Sequence, residues 1–432
     1  MNALLIKNGR VLDPASQEDA IRPLAILDGK IVSPSALPSS CQTLDAAGHL
    51  VVPGLVDIHV HLREPGRPDK ETIETGTMAA AHGGYTSIVA MPNTQPPADS
   101  ASVIAWAKQR AAEKAVVNVF FTGCLSQGMK GEALASYGSL KKAGVVALTD
   151  DGQCIQSAEL MRRAFEYAKM FDLPILDHCQ EATLSDGGVM NEGYWSMILG
   201  LPGWPAIAEE MMIARNALLS EMTGHPVHCQ HVTTAGGVRI IREAKERGVK
   251  ISGEATPHHL TLTDASVEGY DTNYKMNPPL RTPRDIQALV EGLRDGTLEI
   301  LASDHAPHCS FEKEVEFQEA PFGILGLETQ IAIYLDCLYH KHHIPLMEII
   351  RKTTVNPARL LKLDKGTLSE GADADVTILD PDMEWVVNAN EFASKSRNTP
   401  YHGTTLKGRA VVTIVAGRIV FDLENKSTAA KV

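Results

Sequence analysis

The chain has 432 residues, 44% hydrophobic and 22% charged, with a formal net charge of −13; that length holds one large domain and a small second one. The acidic balance argues against a nucleic-acid surface, and no apolar run approaches the roughly 20 residues of a membrane span. Seven Cys without a C-x-x-C pair argue against a disulfide framework and for a reducing compartment.

An anionic substrate stays open, because cations inside a cleft outweigh a distant net charge. Met1 to Lys7 has no extended apolar region of the kind that opens a secretion signal. A cytoplasmic location is expected.

The first fifty residues alternate short apolar runs with turns. Leu4 to Lys7 leads into Asn8-Gly9, and Leu24 to Leu27 leads into Asp28-Gly29 and Ile31-Val32. Asn-Gly and Asp-Gly between apolar runs are hairpin signals. The middle of the chain then alternates strand and helix patterns. Strands are expected at 55–61, 86–91, 118–123, 145–149, 174–178, 227–231, 250–254 and 299–304. The segments around 98–114, 157–171, 204–222 and 234–247 have helical length and period. Asp375 to Leu379, Ala410 to Val415 and Arg418 to Val420 read as strands again, the last two joined by a turn at Ala416-Gly417.

Eight strands separated by helices predict an α/β fold, a (β/α)₈ TIM barrel over 53–364. The β-rich segments 1–52 and 365–432 are expected to pair into one small composite domain. An open doubly wound sheet is the alternative, disfavoured because no Gly-rich phosphate loop follows an early strand. Three connections after barrel strands are long, at about 179–203, 255–282 and 305–326, on the face where such enzymes carry their sites.

Five strand ends carry residues suited to a metal: His59 and His61, Asp150-Asp151, His178, His231 and Asp304. His59 and His61 are two apart, so their imidazoles share a side. Each residue alone has an ordinary structural reading, as a polar strand end, a core histidine or a helix cap. Their common placement at the ends of strands one, four, five, six and eight is what points to a metal-dependent hydrolase. Histidine nitrogen and carboxylate oxygen are standard zinc ligands. Four His and two Asp exceed one tetrahedral ion, whereas two ions about 3.5–4 Å apart could share a carboxylate and one hydroxide. Cys179 and Cys229, beside these histidines, read as packing.

The segments Asp57-Ile58-His59-Val60-His61-Leu62-Arg63-Glu64-Pro65-Gly66, Ala90-Met91-Pro92-Asn93-Thr94, Met276-Asn277-Pro278-Pro279-Leu280-Arg281 and Ser303-Asp304-His305-Ala306-Pro307-His308 resemble the amidohydrolase superfamily. Within it they resemble the bacterial type I dihydroorotases, along essentially the whole chain. The resemblance implies reversible hydrolysis of L-dihydroorotate to N-carbamoyl-L-aspartate in pyrimidine biosynthesis, by attack of a metal-bridged hydroxide on the ring amide. It implies two Zn²⁺ per subunit. His59 and His61 would hold the first and His178 and His231 the second, with Asp304 a ligand of the first zinc and the catalytic base. Many amidohydrolases bridge their metals with a carboxylated lysine after strand four. Here Thr149-Asp150-Asp151-Gly152 stands there, and the bridge is assigned to Asp151, with Asp150 as the alternative.

The resemblance also implies substrate contacts at His61, Leu62, Arg63, Asn93, Asn277, His308, Phe322 and Gly323. Arg63 can grip the ring carboxylate bidentately, with Asn93 on the same side. His308 and the backbone of Phe322-Gly323 would meet the pyrimidine ring. The segment 308–323, rich in Glu and poor in apolar anchors, is expected to be mobile in the empty enzyme and to order over the ligand. A homodimer is expected, as is association with an aspartate transcarbamoylase in some settings. The alternatives are another cyclic amidase (hydantoinase, dihydropyrimidinase or allantoinase), or a non-catalytic partner of the transcarbamoylase. The first typically carries the bridging lysine, and loss of the ligands would mark the second.

Overall fold

A computed structural model describes residues 2–424. Met1 and 425–432, the ends of the expected composite domain, lie outside the described residues. Eight short strands run in sequence order as one parallel sheet. They are Leu55–Val60, Tyr85–Ala90, Asn118–Gly123, Ala147–Leu148, Ile175–Asp177, Val227–Cys229, Ile251–Ala255 and Ile300–Leu301. A parallel bridge between Val60 and His305, with the His61 N–H donating to the His305 carbonyl at 3.0 Å, brings the last strand back to the first. This is the expected barrel, and an open sheet is excluded. The strand segments are apolar because both faces are covered.

Val56, Ile58, Val89, Ala147, Leu176, Ile300 and Ala302 form one buried cluster. They come from five strands around the ring, and only the interior lets them meet. This plug lies below the strand ends and leaves the polar mouth above it. Outside the strands lie helices, among them Ala101–Lys114, Ala158–Met170, Ile207–Thr223 and Ala235–Glu246. Side-chain oxygens of Ser157 and Thr234 cap two of them at the residue before the first turn.

The terminal segments form two sheets rather than one. The first runs Lys30–Val32, Leu24–Leu27, Ala3–Lys7, Gln42–Asp45. The second mixes both ends of the chain: Arg418–Asp422, Thr405–Val415, Val376–Val386, Leu50–Pro53, Arg10–Asp13, Glu18–Ile21. Leu4, Ile6, Val11, Ile26, Val51, Val376, Ile378 and Ile414 fill the space they share. Asp28-Gly29 and Ala416-Gly417 turn true hairpins.

Asn8-Gly9 does not. Ala3–Lys7 pairs with Leu24–Leu27 and Gln42–Asp45, while Arg10–Asp13 pairs with Glu18–Ile21 and Leu50–Pro53. The dipeptide is a corner where the chain changes sheets. A Cβ on Gly9 would lie 2.4 Å from Val51 Cγ2, so glycine is needed for the crossing and not for a hairpin.

Candidate metal centre

His59, His61, Asp151, His178, His231 and Asp304 converge at the barrel mouth, all buried. His59 Nε2 lies 3.3 Å from Asp151 Oδ1 and 3.4 Å from Asp304 Oδ1. His61 Nε2 lies 3.4 Å from Asp151 Oδ2 and 3.1 Å from Asp304 Oδ1. On the other side, His178 Nδ1 is 3.5 Å and His231 Nε2 3.8 Å from Asp151 Oδ1. The two imidazoles are 2.7 Å apart through these nitrogens. Asp151 therefore faces four histidines at once.

Asp150 turns away. It accepts from the backbone of Leu125 (2.8 Å) and Ser126 (3.1 Å) and from the Ser126 hydroxyl. Its role is to hold the loop after the third strand, and burial pushes its carboxyl up to about 6.

Three overlapping sets of ligand atoms each lie within 4.8 Å of one another: His59-His61-Asp151, His59-His231-Asp304 and Asp151-His178-His231. His59 Nε2 is buried without a hydrogen-bond partner. Such an orphaned acceptor beside two carboxylates is costly unless a cation completes it. The donor set fits a pair of metal ions bridged by Asp151. Burial alone would raise the Asp304 carboxyl, but His59 and His61 outweigh it and hold it well below the usual range.

A second layer orients the ligands, and sequence reasoning missed it. Glu254, at the end of the seventh strand, accepts from His59 Nδ1 (2.7 Å), His228 Nε2 (3.0 Å) and the His231 backbone (3.1 Å). Burial opposes its charge, yet His59 and His228 hold its carboxyl down at about 2. Such partners set the tautomer and ring angle of a ligating histidine. A carboxylate ending an expected strand was a readable signal.

The cavity in front of the ligands, about 170 Å³, is lined by His61, Arg63, Asn93, Gly152, Asn277, His308, Phe322 and Gly323, among others. Seven of the eight expected substrate contacts line it. Leu62 does not: its side chain is buried in the core, against the position a Cβ on Gly76 would take. Arg63 uses Nε to donate to the Pro307 carbonyl at 3.2 Å. Its terminal nitrogens make no hydrogen bond among the described residues, and burial lowers it only to about 10. It is a charged fork facing the cavity. Asn93 Oδ1 accepts from His61 Nδ1 at 2.9 Å, which leaves its amide as a donor. Asn277 Oδ1 is buried without a partner.

His308 is differently placed from a free ring contact. Its Nδ1 accepts from Lys70 Nζ at 3.0 Å and its Nε2 donates to the Phe322 carbonyl at 2.8 Å. Burial, then Arg63 and Lys70, push its pKa well down, so the ring is neutral. Nothing in the sequence flagged Lys70. The Gly323 N–H donates to the Lys275 carbonyl at 2.9 Å. A Cβ on Gly323 would come within 2.7 Å of the Ala306 carbonyl and of His308 Cδ2, at a φ of +150°, so glycine is required there.

The expectation of few anchors in 308–323 is corrected. Phe317 and Ala320 are buried, and Lys313 drives its ammonium into the carbonyls of Thr272 (3.0 Å) and Pro321 (2.8 Å). Lys275 Nζ donates to the carbonyls of Phe317 and Gln318, both at 2.8 Å. The loop is packed over the cavity as it stands. Strain is stored nearby: Arg63, His231 and Asp304 have φ of 59°, 31° and 47°, each costing on the order of 1–3 kcal/mol in non-glycine residues.

A family model described as Dihydro-orotase-like matches residues 48–236, and one described as Amidohydrolase family matches 206–420. The dihydroorotase of Pelotomaculum thermopropionicum is 52% identical, covering 96% of this chain and 98% of its own. That of Acetivibrio thermocellus is 47% identical over 96% and 98%. Among solved structures, the L-hydantoinase (dihydropyrimidinase) of Arthrobacter aurescens shares the fold with a TM-score of 0.89 at 26% identity, covering 100% of this chain and 98% of that one. With near-complete coverage at about half identity, and a di-metal ligand set at the barrel mouth, the chain belongs to the dihydroorotase family.

Proposed function

We propose that this chain hydrolyses the ring amide of L-dihydroorotate reversibly to N-carbamoyl-L-aspartate, with two zinc ions as cofactor. The observation that carries the reading is the pairing of two unlike walls in one cavity. One wall holds the metal-ligand cluster around Asp151; the other holds the half-buried Arg63 fork, whose terminal nitrogens make no hydrogen bond among the described residues. A cyclic amide bearing a carboxylate satisfies both.

Zinc, when bound by these residues, supplies polarisation of the amide carbonyl and a lower pKa for water. The chain's own groups do the rest. Arg63 and the Asn93 amide take the substrate carboxylate. Asn277 Oδ1 accepts from a ring N–H. Asp304, at 3.1 Å from His61 Nε2 and ionised, takes the proton of the attacking water and returns it to the departing ring nitrogen. His308 and Phe322 cover the ring and exclude bulk water. The barrel is assigned to 53–364 and the composite β domain to the rest. No described helix is long and apolar enough to cross a membrane, and a cytoplasmic enzyme acting on a small molecule, alone or beside a transcarbamoylase, is the reading adopted.

A hydantoinase-like cyclic amidase, the activity for which the solved Arthrobacter aurescens protein is named, is the competing reading. It leaves the Arg63 charge without a counterpart. Following dihydroorotate turnover during zinc titration of the metal-free protein tests the proposal. Activity rising with metal in wild type and absent in Asp304→Asn supports it; absence of dihydroorotate turnover at full metal loading refutes it.

A further inference from the structure

The chain leaves the fifth strand at Asp177 and continues as His178-Cys179-Gln180. Cys179 is buried in the core. The side chains on either side of it meet, with His178 Nε2 2.8 Å from Gln180 Oε1. Asn277, in the loop after the seventh strand and 97 residues away in sequence, places its Nδ2 3.4 Å from the same oxygen. One amide oxygen therefore faces both a histidine of the second metal position and a residue of the substrate cavity. Gln180 stands behind the two and is not among the residues that line the cavity.

Hydrogen-bond chemistry fixes which way the Gln180 amide points. The Ser185 hydroxyl has a single proton, which it donates to the Glu181 carbonyl at 2.9 Å. Toward Gln180, 2.8 Å away, Ser185 Oγ accepts, so the group facing it is the amide nitrogen. That leaves Oε1 to His178 and Asn277, and a carbonyl oxygen can only accept. His178 must then carry a proton on Nε2. A neutral ring protonated there keeps its lone pair on Nδ1, the nitrogen that faces Asp151 Oδ1 at 3.5 Å and the one a metal needs. Asn277 must turn its NH₂ to Gln180, because the reversed amide would set two carbonyl oxygens against each other. Its Oδ1 is thereby presented as an acceptor, buried and without a hydrogen-bond partner. Among the described residues the Asn277 side chain makes no other hydrogen bond, so nothing else selects its orientation.

We propose that Gln180 is a positioning residue with two outputs: through one shared oxygen it gives His178 its metal-binding tautomer and Asn277 its acceptor face toward the substrate ring. The second output rests on the dihydroorotate reading above, in which Asn277 Oδ1 receives a ring N–H; the first does not. Removing the shared oxygen acts on the two outputs separately. His178 loses the partner that holds its ring and tautomer, which weakens the metal position. The Asn277 amide becomes free to turn, and a donor facing a ring N–H leaves both groups unpaired. Ground state and transition state lose that contact alike, so KM changes and kcat does not.

Gln180→Met, Gln180→Glu, Asn277→Ala and the double variant Gln180→Met/Asn277→Ala test the proposal, with zinc affinity read by chelator competition and kinetics on L-dihydroorotate run at saturating zinc. Gln180→Met keeps the side chain's length without its acceptor. It should bind zinc about tenfold more weakly or worse, and raise KM about tenfold at little change in kcat. Gln180→Glu still accepts from both partners, and the Ser185 hydroxyl can turn to donate to it. It should hold zinc at least as tightly as wild type and keep KM within about threefold. In the Asn277→Ala background Gln180→Met should add no further rise in KM while still weakening zinc, because only the first output remains. An unchanged zinc affinity or an unchanged KM in Gln180→Met would overturn the proposal. So would a KM rise of the same size in the Asn277→Ala background, or a Gln180→Glu that fails as Gln180→Met does. Wild type that leaves dihydroorotate untouched at full metal loading refutes the proposed reaction and with it the Asn277 output, and the zinc affinities, which need no substrate, still decide the His178 output.

Discussion

Glu254 gives the sharpest test of how the metal centre is built. Its Oε1 serves His59 Nδ1 and the His231 backbone, and its Oε2 serves His228. In Glu254→Gln one carboxylate oxygen becomes an amide that can only donate, facing an imidazole N–H or a backbone N–H. His59 then loses its charged anchor or must change tautomer, which moves Nε2 out of its role beside Asp151 and Asp304. Loss of an orienting partner is worth 10–100-fold in metal affinity. Because this one group serves ligands on both sides of the bridge, the upper end, about 100-fold or 2.7 kcal/mol, is expected. Competition with a chromophoric chelator reads the zinc affinity directly. A charge-assisted hydrogen bond is also lost, so the metal-free variant should be less stable by about 1.5–3 kcal/mol. Zinc affinity in Glu254→Gln equal to that of wild type would refute the argument that this carboxylate orients the ligands.

Asp151→Ala should lose bound metal while Asp150→Ala keeps it and instead lowers the thermal midpoint, as its bonds to Leu125 and Ser126 require; metal analysis that reverses this order would move the bridge to Asp150. Arg63→Lys should raise KM for a carboxylated ring at least tenfold at unchanged metal content, because the planar fork is lost; an unaltered KM would contradict its role. The pH dependence of stability should show Lys313 and Lys275, which burial pushes down to about 7 and about 8. A lysine lowered in the folded state binds fewer protons there than in the unfolded chain, so its contribution to stability rises with pH from about 7 towards the unfolded value of about 10.4. Lys313→Met should flatten that rise in the thermal midpoint, and an unchanged slope would contradict the assignment.

Much of this was open to reading in the residues alone. The eight barrel strands stand out because each is a short, largely apolar run, and parallel strands covered on both faces need that pattern. The six candidate ligands were visible because they end such runs. Asn8-Gly9 misled because turn chemistry is local: it specifies a reversal in backbone geometry, not which sheet receives the next strand. The 308–323 segment misled for a different reason. Its anchors are Lys313 and Lys275, whose ammonium groups cap backbone carbonyls, and composition counts such residues as solvent-facing. The separation of Asp151 from Asp150 depended on where Ser126 stands, a contact across 24 residues. Lys70 behind His308, 238 residues away, had no local trace at all.

The central claim is that one cavity joins a metal-assisted amide hydrolysis to recognition of a ring carboxylate by Arg63. Measuring kcat/KM of the zinc-loaded wild-type enzyme for L-dihydroorotate and for dihydrouracil, which lacks that carboxylate, tests it most directly. The account predicts a preference for dihydroorotate of 100-fold or more, about 2.7 kcal/mol for a lost bidentate charged contact. Equal values for the two substrates, or a preference for dihydrouracil, would contradict it.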